Sequence, residues 1–96
     1  MAKNKNILRT LETDIRRQIK DYLWLKGWLV LYHLQGLGSC PGLPDLQAIK
    51  NGQVVFIELK RLGGKQSERQ KEFQAKLEAA GGTYILCRTI EDIEHL

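Results

Sequence analysis

Ninety-six residues, 43% of them hydrophobic and 27% charged, describe one ordinary globular domain over 1–96, with a core of modest size. Fifteen basic against eleven acidic residues leave a formal charge of +4, compatible with a polyanionic partner but not diagnostic of one. No apolar run approaches the roughly 20 residues of a membrane span. The first residues carry no signal-peptide pattern, and the two cysteines, Cys40 and Cys87, suit free thiols in a reduced, cytoplasmic setting better than a disulfide framework.

Leu11, Ile15, Ile19 and Leu23 recur at every fourth position, with Tyr22 beside them, so the chain from about Thr10 to Leu25 reads as an amphipathic helix closed by Gly27. Trp28 to Leu34 is rich in aliphatic and aromatic residues and reads as a strand. Gln35 to Leu43 has the glycines and proline of a loop, a candidate for substrate contact. Asp45 to Ile49 and Gln53 to Lys60 read as two strands joined at Asn51-Gly52, the pair that favours a type I′ hairpin. A basic, glycine-bearing loop comes next, over 61–66.

Ser67 begins a second helix, with Phe73, Leu77 and Ala80 on its apolar face and Gly81-Gly82 at its end. Ser67 with Gln70 forms a capping box, which explains Gln70 locally. Thr83 to Cys87 is a last strand, and Thr89 with Asp92 caps a short terminal helix. The order helix, strand, hairpin, helix, strand, helix predicts an α/β fold: a central mixed sheet flanked by helices.

Charge is distributed unevenly. Lys3, Lys5, Arg9, Arg16, Arg17 and Lys20 crowd the first twenty residues, and Lys60, Arg61, Lys65, Arg69, Lys71 and Lys76 crowd positions 60–76. Any one of these alone is most simply a solvated helix face. Between the two basic clusters lie Pro44-Asp45 and Ile57-Glu58-Leu59-Lys60. Strand alternation sends Glu58 and Lys60 to one side and Ile57 and Leu59 to the core. With Asn51-Gly52 as the turn, Asp45 falls opposite Glu58, their β-carbons about 4.5–5.5 Å apart. Like charges at that distance repel unless a cation sits between them. Magnesium is commonly held by one or two carboxylates that leave it several waters, and Lys60 on the same face can orient an attacking water or offset phosphate charge. Two acids and an amine so arranged suit metal-dependent phosphodiester hydrolysis. The plainer reading of Glu58-x-Lys60 by itself is a surface ion pair; Pro44-Asp45 and the register are what favour a site.

Other constellations carry less. Cys40, Cys87, His33 and His95 are too scattered for a zinc finger or ribbon. His33 reads as a hydrogen-bonded strand histidine, and the glycines at 36, 38 and 42 are not a dinucleotide fingerprint. Tyr22, Trp24, Trp28 and Tyr32 are candidates for either an interface or the core.

The motif residues Glu12, Gly42-x-Pro44-Asp45-Leu46, Phe56-Ile57-Glu58-Leu59-Lys60, Gly63, Ser67 and Gln70 together resemble the PD-(D/E)xK nuclease superfamily, and within it the VRR-NUC (virus-type replication-repair nuclease) family. That resemblance implies a restriction-endonuclease-like αβββαβ core. It implies that Asp45, Glu58 and the Leu59 backbone carbonyl hold Mg2+ or Mn2+, with Glu12 as a further candidate ligand. It gives Lys60 a catalytic role and Glu12 and Gln70 supporting ones. Arg61, Lys65, Ser67 and Arg69 are the expected nucleic-acid contacts. The implied activity is a structure-selective DNA endonuclease acting as a homodimer on branched DNA such as a Holliday junction. A flap or restriction-type nuclease, or a catalytically silent nucleic-acid-binding module, are the alternatives.

Overall fold

The chain's two longest apolar alternations pair with each other, and the rest of the fold is layered on that pair. In the computed structural model, which describes residues 2–33 and 40–96, with side chains from residue 13 onward, β2 (Leu46–Lys50) and β3 (Gln53–Leu59) form an antiparallel hairpin. Asn51 and Gly52 both have positive φ, 51° and 79°, as a type I′ turn requires. Lys50 pairs with Gln53 and Leu46 with Ile57, which is the register expected from the turn.

β1 (Leu29–Tyr32) adds antiparallel to β2, and β4 (Thr83–Cys87) adds parallel to β3, giving one mixed four-stranded sheet in the order β1-β2-β3-β4. A parallel neighbour needs a crossover; here it is α2 (Glu68–Ala79). α1 (Ala2–Leu25) precedes the sheet, and a 3-10 helix (Ile90–Ile93) comes after it. The αβββαβ order is therefore the one expected. α1 is longer than its apolar periodicity indicates, because its first turns are polar.

Ile19, Leu23, Trp28, Leu46, Ala48, Val55, Ile57, Cys87 and Ile93 form the buried core between α1, the 3-10 helix and one face of the sheet. Trp28, only 4% exposed, is thus a core residue and not an interface one, whereas Trp24 is 72% exposed. The opposite face is covered by α2, which buries none of its own residues fully. Phe73 packs on Phe56, ring centroids 6.0 Å apart, and Leu77 is half-buried. Ala80, expected on this face, is exposed, because it is the residue on which the helix ends. Asp92 accepts hydrogen bonds from the backbone N–H groups of Arg88 (2.8 Å) and Thr89 (3.1 Å), which closes the terminal turn. No helix among the described residues is long and apolar enough to cross a membrane.

Candidate active site

The hairpin register carries past the last ladder pair, Leu46 with Ile57, to bring Asp45 across from Glu58. Asp45 lies just before β2 and uses its carboxylate to extend the pairing: Oδ2 accepts a hydrogen bond from the Leu59 N–H at 2.8 Å. The preceding Pro44 is fully buried, so the corner is fixed from both sides.

His33 fixes it further. Its backbone N–H donates to the Asp45 carbonyl (2.8 Å), Nδ1 lies 2.8 Å from the Pro44 carbonyl, and Nε2 lies 2.7 Å from Gln47 Oε1. Since a carbonyl can only accept, Nδ1 donates in that bond, and the Gln47 side-chain amide is the partner of Nε2. The ring also packs against Phe56, with centroids 5.8 Å apart. His33 is thus the hydrogen-bonded strand histidine expected, with the acidic corner as its partner.

Glu58 is the one buried charged side chain among the described residues, 3% exposed, although it sits on the face away from the main core. Its Oε2 accepts a hydrogen bond from Gln70 Nε2 at 3.2 Å and lies 3.7 Å from Lys60 Nζ. Burial raises its pKa from 4.5 to about 8, and the neighbouring Asp45 charge and hydrogen bond push the same way, with Lys60 partly opposing. A carboxylate held so needs either a proton or a second cation to stay in place.

Gln70 does two jobs at once. Its side chain accepts from the Ser67 N–H (2.8 Å), while its own N–H donates to Ser67 Oγ (3.2 Å), completing the capping box. The amide nitrogen left over reaches Glu58. Gly42 makes this approach possible: with φ +80°, a β-carbon there would lie 2.1 Å from the Arg69 carbonyl oxygen. Only a glycine lets the segment before Pro44 lie against the first turn of α2.

These residues open into a cleft of about 550 Å³. The hairpin contributes Asp45, Glu58 and Leu59, the loop after it Lys60, Arg61, Gly64 and Lys65, and α2 Gln70. α1 contributes Ile15 and Arg16. Arg16 stands outside the motif residues, since nothing in the sequence tells which side of a long basic helix crosses the end of the sheet. The capped N-terminus of α2 also faces this region, and its partial positive charge favours an anion.

Of the other expected contacts, Ser67 is occupied as the helix cap, and Arg69 is exposed on the first turn of α2. The Glu12 side chain lies outside the described residues, although its backbone is in α1 one turn before Arg16. So do the last residue of the expected first strand, 34, and residues 35–39 of the expected substrate loop; the end of that loop is a turn in which Leu43 N–H donates to the Cys40 carbonyl (3.1 Å). Among the described residues no three of His, Cys, Asp and Glu cluster as a metal set. Cys87 is buried, its thiol pushed up to about 12 by burial and then by Asp92, and it donates to the Thr89 carbonyl.

A mixed four-stranded sheet with a helix on each face is a restriction-endonuclease-like fold. The solved structure of a VRR_NUC domain is similar to this chain with a TM-score of 0.77, covering 90% of this chain and 92% of that one at 22% identity. The fold is that of a VRR_NUC domain, the domain type that the motif residues resemble. No family sequence model and no curated protein sequence matches the chain.

Proposed function

We propose that this domain is a divalent-metal-dependent DNA endonuclease with its reacting centre at Asp45, Glu58 and Lys60. The observation that carries the reading is Glu58: a carboxylate buried to 3% exposure, beside a second carboxylate and 3.7 Å from a lysine, in a cleft open to solvent. Such a pair stabilises nothing by itself; removing both charges would relieve repulsion and desolvation together. Its geometry makes sense where a divalent cation shares the two acids. The donor set fits a hard cation, with oxygen ligands, two carboxylates and room for water.

Asp45 and Glu58 are the proposed ligands, with the Leu59 carbonyl and Glu12 as further ones. When bound, Mg2+ or Mn2+ supplies the positive charge that activates water and offsets charge building up on a phosphate. Lys60 holds and orients the attacking water or a phosphate oxygen. Gln70 keeps the Glu58 carboxylate aimed, and His33 does the same for the Asp45 corner. Arg61, Lys65 and Arg69, with Arg16 from α1, grip the phosphodiester backbone, and Ser67 acts through the helix N-terminus it caps. Contacts of this kind read backbone and shape, not sequence.

Branched DNA, a Holliday junction above all, is the proposed substrate, and two copies of the chain the working unit. Supporting the dimer, edge strand β1 exposes Leu29 and Leu31, and the end of α1 exposes Trp24 and Leu25, apolar side chains of the kind that second copies cover. Wild type and Lys60→Ala, incubated with labelled four-way junction, flap, duplex and single strand in Mg2+, Mn2+ or EDTA, test the proposal. Metal-dependent cutting by the wild type alone, strongest on the junction, is the expected result. Tight binding without cutting in either metal would leave a binding module instead.

A further inference from the structure

The loop joining Lys60 to α2 holds its tip in a fixed shape. Gly64 N–H donates to the Arg61 carbonyl at 3.0 Å, and Gly63 has φ +81°, so residues 61–64 form a type II turn with Leu62 at its apex. The turn is tied down from outside. Arg88 Nη2 donates to the Gly64 carbonyl (2.9 Å). Two residues on, Gln66 Nε2 donates to Gln74 Oε1 (2.9 Å) and to the Tyr84 hydroxyl (3.1 Å). One tie comes from the end of β4, the others from α2 and from beneath it.

The side chain displayed there is a leucine, 73% exposed. One exposed leucine is ordinary on a protein surface. This one is flanked by residues that line the cleft, Lys60 and Arg61 before it and Gly64 and Lys65 after it. A loop meant only to bind phosphates has no use for an apolar apex among its cations. An apolar apex set among these cations suits a surface that is apolar and lies beside a polyanion.

We propose that Leu62 is a wedge that packs against the open face of a base where a DNA stack is interrupted, so that the 61–65 loop distinguishes branched from continuous duplex. This rests on the nuclease reading of the cleft. In continuous duplex the base faces are covered by their neighbours, and an apolar wedge must unstack a step at a cost of about a few kcal/mol; where a branch leaves a face open, Leu62 packs without that cost. Arg61 and Lys65 grip phosphates in either form and contribute no preference. The ties to Arg88 and Gln66 mean that the apex need not be ordered on binding, so the contact loses little to entropy.

The test uses Lys60→Ala protein in Mg2+, which keeps DNA intact, with and without Leu62→Ser or Leu62→Met. Each is titrated with a four-way junction and with continuous duplex, 2-aminopurine replacing the adenine next to the branch. The wedge predicts brighter 2-aminopurine on junction binding and a junction-over-duplex affinity ratio of about tenfold, the size of effect that burying a leucine side chain gives. Leu62→Ser should bring that ratio near unity and abolish the brightening; Leu62→Met should keep both. Unchanged ratio and fluorescence in Leu62→Ser would overturn the wedge while Lys60-dependent cutting by wild type upholds the nuclease. Absence of cutting and of binding by wild type would remove both.

Discussion

The two faces of the sheet are built on opposite terms. Toward α1 and the 3-10 helix, β2, β3 and β4 present Leu46, Ala48, Val55, Ile57 and Cys87, all fully buried, and the one polar group among these five side chains, the Cys87 thiol, donates to the Thr89 carbonyl. Toward α2 the same strands present Gln47, Phe56, Glu58 and Tyr84, and the helix answers with Gln70, Gln74 and Phe73, linked by hydrogen bonds and tilted rings. The first face secures the fold through area removed from water. The second holds side chains at fixed positions and leaves Glu58 in a state that costs stability. Substitutions on the two faces should therefore separate stability from chemistry.

The sharpest break is expected at the acids and the lysine. Asp45→Asn, Glu58→Gln and Lys60→Ala should each lower metal-dependent cutting by roughly 10³-fold, the scale for removing one charge-stabilising group from a reacting centre. Glu58→Gln should also raise the melting temperature of the metal-free protein near pH 8. If it instead unfolds the domain, Glu58 belongs to the structural face after all. Ile57→Ala, one residue away and facing α1, should do the reverse: a loss of about 3 kcal/mol of stability by denaturant titration, with Mg2+ affinity of the folded protein kept.

His33→Ala tests whether the α2-side network positions the acidic corner. It should weaken Mg2+ binding, read as the metal-induced rise in melting temperature, by roughly tenfold or more, as loss of an outer-shell partner commonly does. A uniform drop in melting temperature with unchanged metal affinity would make it packing only.

The pH response is smaller. Glu58 titrates near 4.5 when unfolded and at about 8 when folded, so between those values the folded state holds the extra proton. Stability should fall as pH rises through that window and level off above it. Mg2+ should erase the slope, stabilising more at pH 8 than at the acid end, and Glu58→Gln should remove it without metal. Smallest is Arg16→Ala: weaker DNA binding, with the salt dependence of affinity shallower by about one unit in the log-log slope. No change in slope would take α1 out of the interface.

Much of this was legible because local chemistry decides it. Asn51-Gly52 dictates its own turn, the turn sets the register, and the register pairs Asp45 with Glu58. Ser67 and Gln70 announce the start of α2 by their spacing, and the cap is formed as read. Hidden were the features that depend on how layers sit on one another. A Glu-x-Lys on a strand looks the same whether or not a helix covers it, so the burial of Glu58 could not be read from its neighbours. Arg16 and Arg88 resemble every other surface arginine until α1 is laid across the sheet end and β4 is brought beside the loop. Gly42 has the same character: its need for a bare α-carbon comes from Arg69, twenty-seven residues away.

The acidic pair sits at the open end of one uninterrupted hairpin, from Pro44 to Lys60, and this has a kinetic side. Hairpin closure precedes slower, longer-range steps such as the parallel docking of β4 across α2. On those timescales the two carboxylates should meet while the domain is still assembling, before α2 can offer the Gln70 amide to Glu58. Refolding should run faster with Mg2+ present than without it, and stopped-flow traces of wild type against Asp45→Asn will tell whether the ion is an early passenger or a late arrival.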